Sequence, residues 1–155
     1  MIIRSFRPED LEQCVELIKE TSEHYILEDI IPWKEEMFLG FFDLENKRDK
    51  VEEFFKNADV IVAESEDKEI LGLLRSTEYN IRSFFIKDKY IRQGIWRKLF
   101  NEYLKTLKGK YSIVTVYSSS YAVKFYESLW FQITWEKELR WDGIRAYPMK
   151  MTIES

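Results

Sequence analysis

The order and period of the hydrophobic residues predict one α+β domain over residues 1–155, built on a mixed, mostly antiparallel central sheet of about seven strands with helices on both faces. Three observations carry this. Apolar residues recur at helical spacing before Asn57, change to β-branched runs after it, and then alternate between single strands and amphipathic helices. A chain of 155 residues that is 45% hydrophobic and 16% aromatic fills one sizeable core and leaves too little for a second.

Ile2 to Phe6 read as the first strand, and Pro8 both ends it and suits the first turn of a helix. Leu11, Cys14, Val15 and Ile18 recur three and four residues apart, so that helix buries one face, with Glu9, Asp10 and Glu12 near its positive end. Between Ile30 and Asn57 the pattern is looser, placing Met37, Phe38, Phe41 and Phe42 and then Val51, Phe54 and Phe55 on further helical faces. Val60 to Val62 and Ile70 to Leu74 flank the polar connector Ser65 to Glu69, the pattern of an antiparallel hairpin with Gly72 inside its second strand. Ile81 to Ile86 is the next strand. Lys87 to Gln93 leads from it into an amphipathic helix carrying Ile95, Leu99, Tyr103 and Leu107, which Gly109 terminates. Ile113 to Tyr117 forms another β-branched strand, and Ser118 to Ser120 cap a helix with Ala122, Val123, Phe125, Tyr126 and Leu129 at its apolar positions. Ile133 to Trp141 and Ile144 to Ile153 close the chain as a hairpin turned at Asp142-Gly143. In the last strand the apolar phase passes from Ile144 and Ala146 to Tyr147, Met149, Met151 and Ile153. Either a bulge near Ala146 to Pro148 or a two-sided strand with Pro148 at an edge accounts for that change.

Composition removes several classes of function. A formal charge of -4 argues against a nucleic-acid partner, because such proteins neutralise phosphates with a net basic surface. No apolar run reaches the eighteen residues of a membrane helix and the N-terminus lacks a signal-peptide pattern, so a soluble, cytoplasmic chain without a membrane partner is expected. Cys14 is the only cysteine; it allows no disulfide within the chain and no thiolate cluster, and no metal is expected. On an apolar helical face it reads as a buried structural thiol, and His24, the only histidine, reads as a surface or packing residue.

Two motifs carry chemistry. Tyr90-Ile91-Arg92-Gln93-Gly94-Ile95-Trp96-Arg97-Lys98-Leu99 joins a strand to a helix, whose first backbone amides and dipole suit a pyrophosphate, with Gly94 allowing close approach. From Arg82 to Lys98 six basic residues face one acidic residue, so positive charge concentrates here in a chain that is negative overall. The segment resembles the phosphate loop of the GNAT family of N-acetyltransferases, written Q/R-x-x-G-x-G/A. Ser119-Ser120-Tyr121-Ala122-Val123-Lys124-Phe125-Tyr126-Glu127-Ser128-Leu129-Trp130-Phe131 is similar to the same family's N-x-x-A-x-x-F-Y-x-x-x-G-F segment, with Ser119 at the asparagine position. Their order and spacing extend the resemblance over nearly the whole chain. Four positions depart from it: Ile91 stands for glutamine or arginine, Trp96 and Trp130 for small residues, and Ser119 for asparagine. Trp130 is expected to fill core beside Phe131.

The resemblance implies a GNAT fold, acetyl-coenzyme A as cosubstrate, and acetyl transfer to a primary amine by direct attack. It places the pantetheine arm along Phe84, Phe85 and Ile86, the phosphates on Arg92, Gln93, Gly94, Ile95, Trp96 and Arg97, and a further contact at Ser119. Tyr126 becomes the acid that protonates the departing thiolate. Glu78, ahead of the coenzyme A strand, is a candidate base, with a solvated turn residue as the equal alternative. The acceptor, a small-molecule or peptide amine, is expected near His24 to Phe42, where Tyr25, Trp33 and the phenylalanines cluster and Glu28, Asp29, Glu35 and Glu36 can attract a cation. Trp135 and Trp141 are candidate contacts of a homodimer. The four departures keep open an alternative from another class, a catalytically impaired ligand-binding or interaction module of the same fold.

Overall fold

The computed structural model describes residues 1–25, 29–30, 40–140 and 143–154, the first segment with side chains through Ser22. The side chain of His24, together with Tyr25's, and residues Glu28, Trp33, Glu35, Glu36, Met37, Phe38, Trp141 and Asp142 lie outside that description. The elements in chain order are β1 (Ile2–Ser5), α1 (Leu11–Tyr25), α2 (Leu44–Lys56), β2 (Asp59–Glu64), β3 (Ile70–Thr77) and β4 (Asn80–Ile86). They continue with α3 (Ile95–Leu107), β5 (Ile113–Ser118), α4 (Val123–Ser128), β6 (Gln132–Ile133), β7 (Glu138–Leu139) and β8 (Arg145–Thr152). Single 3₁₀ segments, Pro8–Asp10 and Asp88–Gln93, precede α1 and α3. The strands form one sheet in the order β1-β2-β3-β4-β5-β8-β6, with β7 also on β8, and every pairing is antiparallel except β4 with β5.

Alternation along the strands loads both faces. Val62 and Leu73 meet Leu11, Val15 and Ile18 of α1 and Val51 and Phe55 of α2, whereas Leu74, Ile86, Val114 and Met149 meet Leu99 and Tyr103 of α3 and Tyr126 of α4. Gly72 sits under close packing: a Cβ there would come within 2.6 Å of Ile86 Cδ1 on β4, 3.1 Å of Phe85 O and 3.2 Å of Leu99 Cδ1 on α3, so any side chain would displace its neighbours. At the far edge, Arg4 joins β1, β2 and the approach to α1 by bonds of 2.7 Å to Asp10 and 2.6 Å to Glu64.

Three expectations are corrected in detail. The strand read as Ile133 to Trp141 is two short pieces, β6 and β7, with a break between them opposite Pro148. β8 keeps one register along β5, from Thr152 to Tyr147, so it holds no bulge on that side. Pro148 C=O accepts from Thr134 N at 2.9 Å. Its missing N–H therefore falls on the same side, in the gap between β6 and β7, where no ladder bond is lost.

Trp130 is the third. It does not fill core: it is 85% exposed. The end of α4 explains why. Trp130 N donates to Glu127 O at 3.0 Å and Phe131 N to Tyr126 O at 3.1 Å, the paired bonds of a Schellman motif, with Phe131 packed on Tyr126 at 5.3 Å. Trp130 occupies its left-handed position with φ 73, a conformation that penalises any residue with a Cβ. The motif is retained with the least suited kind of residue, and its side chain points away from the core. Trp130→Gly is expected to raise stability by about 1 kcal/mol, read as an increase in the urea midpoint at unchanged slope.

Candidate active site

Gly94 turns the chain into α3. It adopts φ 76, and the space where its Cβ would stand is open for 4 Å. The first amide of the turn to find a backbone acceptor is Lys98 N, on Gly94 O at 3.2 Å. Those of Ile95, Trp96 and Arg97 have none among the described residues, and no side chain caps the helix. The loop ahead of it is held from outside: Glu69 takes Lys87 Nζ on one carboxylate oxygen at 2.8 Å and Tyr90 Oη on the other at 3.1 Å. Lys87 is thereby neutralised. Arg92 and Arg97 are exposed and make no ion pair among the described residues. Ile95 is buried and offers the loop its backbone alone.

β4 and β5 pair at Asn80↔Thr115 and Ile81↔Val116 and nowhere further. A register shift opposite Arg75 and Ser76 leaves Arg82 as an extra residue in β4 at that point. Lys87 N bonds Leu71 O at 2.8 Å, so alternation turns the backbone groups of Phe85 toward β3 and those of Phe84 and Ile86 toward the open side. Into that opening pack Phe84, Trp96, Phe125 and Tyr126. The Trp96 indole lies 4.8 Å from the Phe84 ring and 4.1 Å from that of Phe125, bridging β4 and α4. It has turned inward onto these rings.

Tyr126 is 4% exposed and rests against Phe84, Phe125 and Phe131, at 6.4, 5.3 and 5.3 Å. Burial pushes its phenol above the usual range, which keeps the proton on oxygen at any ordinary pH. A cavity of about 350 Å³ lies between the two motifs, with Arg92, Gly94, Trp96 and Arg97 on one wall and Tyr121, Ala122 and Phe125 on the other.

The fold thus gathers the loop residues Arg92 to Arg97, the β4 backbone and Tyr126. It does not gather Glu78. That residue is exposed, at φ 52 in the β3–β4 turn ahead of β4's first residue, six residues before Phe84. Its carbonyl accepts from Tyr103 Oη at 2.9 Å, which fixes it beside the other end of α3. Ser119 is engaged locally, its Oγ accepting Ala122 N at 3.2 Å. Asp29 is no surface attractant for an amine: fully buried, it takes Lys137 Nζ and Ser120 Oγ, each at 2.6 Å, and Ser120 N at 2.8 Å. Trp135 is 68% exposed. Spacing alone announces neither the Glu69 anchor nor the Asp29 cluster, because each joins residues distant in sequence through single polar side chains.

Among the described residues no group of three or more His, Cys, Asp and Glu side chains is placed to hold a metal ion, and no helix is long and apolar enough to cross a membrane. Residues 19–153 match the acetyltransferase (GNAT) domain family, and the chain belongs to that family. No curated protein is matched by the sequence. Among solved structures, a GCN5-related N-acetyltransferase from Rhodopseudomonas palustris superposes with a TM-score of 0.81 at 13% identity, over 98% of this chain and 95% of that one. PaiA N-acetyltransferase from Thermoplasma acidophilum, in complex with coenzyme A, gives 0.72 at 19% identity over 98% of both chains. A ribosomal-protein-alanine N-acetyltransferase from Brucella melitensis gives 0.69 at 17%, over 99% and 100%. At such identities the likeness is one of fold.

Cys14 is wholly buried, and burial pushes its thiol up to about 12, so almost no thiolate forms near neutrality. Native protein is expected to leave a maleimide unreacted over hours, with one equivalent consumed on denaturation. Rapid native labelling would return Cys14 to the candidate nucleophiles.

Proposed function

We propose that this protein transfers an acetyl or related acyl group from acetyl-coenzyme A to a primary amine by direct attack. The observation that carries the reading is the nearness of three features: uncapped amides at the start of α3 beside a cavity, unpaired backbone along β4, and a protonated, buried Tyr126 packed on Phe84 and on the Phe125 that lines that cavity.

The residues suit the cosubstrate. The amides of Ile95, Trp96 and Arg97, with the Arg92 and Arg97 guanidiniums, would hold the pyrophosphate, since donors and a helix dipole favour an anion there. Phe84 and Ile86 offer backbone groups to the pantetheine arm and the thioester. In the transfer, the amine nitrogen forms a bond to the thioester carbonyl carbon, the carbon–sulfur bond breaks, and Tyr126 supplies a proton to the departing sulfur. The nitrogen's surplus proton passes to solvent.

One contact favours the second reading, a catalytically impaired ligand-binding module. The Trp96 indole is packed between Phe84 and Phe125, the two rings that also touch Tyr126. For transfer to occur, it must swing aside.

Titration with acetyl-coenzyme A is expected to raise the thermal midpoint, by the stabilisation due to any ligand that binds only the native state. No shift at millimolar ligand would exclude the transferase. Trp96→Gly is expected to tighten coenzyme A binding about tenfold, or about 1.4 kcal/mol; weaker binding would make the indole part of the site. Tyr126→Phe is expected to lower kcat about 10²-fold with coenzyme A affinity retained, and an unchanged rate would remove the residue from its role.

A further inference from the structure

Across the sheet from α3 and α4, two arginines stand together without an acid. Arg75 of β3 donates its Nε to Phe54 O at 3.1 Å and lays its guanidinium 3.6 Å from the centre of the Phe54 ring. Arg82, the extra residue of β4, donates its Nε to Thr77 Oγ1 at 2.9 Å. Neither forms an ion pair among the described residues. Burial, with the nearby charge of Arg82 acting in the same direction, lowers the pKa of Arg75 to about 10. Elsewhere the chain treats sheltered cations differently: Arg4 holds Asp10 and Glu64, Lys87 holds Glu69, and Lys137 holds Asp29. With 28 acidic residues in the chain, a partner was not scarce.

A desolvated cation beside a second cation is unfavourable until an anion joins them. Phe54 covers one face with its ring and takes the Nε with its carbonyl, and the terminal nitrogens of Arg75, the pair that grips carboxylates and phosphates, have no hydrogen bond among the described residues. The place is telling. Arg82 sits where β4 leaves β5, two residues from Phe84 and so about 7 Å along the strand, on the side of the sheet opposite the loop proposed to hold coenzyme A. An acceptor reaching the thioester from that side passes both arginines.

We infer that the acceptor amine carries an anionic group, a carboxylate or a phosphate, which Arg75 and Arg82 bind while the amine reaches the cleft. This rests on the transferase reading and specifies its substrate class. Thiol release should be followed with matched acceptors, ethanolamine against phosphoethanolamine and butylamine against 4-aminobutyrate. The anionic member of at least one pair is expected to show about tenfold higher kcat/KM, through KM. Arg82→Met, at an exposed position that folding tolerates, should erase the preference and leave the neutral amine unchanged, and Arg82→Lys should restore part of it. Equal use of both members, or a preference that survives Arg82→Met, overturns the inference while the transferase stands. A second arm needs no turnover: inorganic phosphate at constant ionic strength should raise the thermal midpoint more in the native protein than in Arg75→Met and Arg82→Met, each compared with chloride. Equal phosphate responses in all three overturn the inference whatever acetyl-coenzyme A does, whereas a failure of acetyl-coenzyme A to bind overturns the transferase reading.

Discussion

β4 and β5 can lie side by side in parallel only because α3 carries the chain back across the sheet between them, and their ladder closes at two positions before it ends. The bulge at Arg82 bends β4 at the point of parting. From that geometry follow the other features of the site. Phe84 and Ile86 have backbone groups with no strand to meet, α3 begins at the open end, and α4 lays Tyr126 and Phe125 across the gap. Had the two strands stayed paired to their ends, there would be no gap beside Phe84 for the rings of Trp96, Phe125 and Tyr126 to fill.

The opening is also a hole in the hydrophobic layer, and aromatic rings fill it. Phe84, Trp96, Phe125 and Tyr126 meet at 4.1 to 6.4 Å, the range of favourable ring contacts. The two tryptophans that replace small residues therefore have opposite fates. Trp96 turns inward because an apolar gap lies beneath it, while Trp130 turns outward because a left-handed Schellman position points its side chain away from the protein. The same substitution in sequence gives a packed ring in one place and a strained, solvated one in the other.

How much of this was legible follows the range of each interaction. Helix faces, the β2–β3 hairpin and the Gly94 turn depend on residues a few positions apart, and their periods display them. The two motifs meet through Trp96 and Phe125, whose rings lie 4.1 Å apart, because a strand–helix–strand crossover fixes what its ends bring together. Sequence did not reveal that residues 133–141 break into two pieces: the break depends on Pro148, a residue of the neighbouring strand. It also could not place Glu78 relative to the cleft, since proximity to a strand in sequence says nothing about which end of it holds the chemistry. The pairs Glu69 with Lys87 and Asp29 with Lys137 were invisible for a related reason: a single charged side chain carries no period.

Those buried or half-buried acids share a logic that bears on the amide turn. Asp10 receives Arg7 N at 2.8 Å ahead of α1, Asp43 receives Glu45 N and Asn46 N at 3.0 and 3.3 Å at the start of α2, and Asp29 receives Ser120 N ahead of α4. Each satisfies a backbone donor near a helix start and sets negative charge by the positive end of a dipole. The 3₁₀ segment ahead of α3 carries Asp88, and Glu69 beside it grips the side chains of Lys87 and Tyr90. Among the described residues, carboxylates accept backbone donors near the starts of α1, α2 and α4, while the first amides of α3 have no such partner. Glu69 holds the loop from the side, and the space above Gly94 stays open.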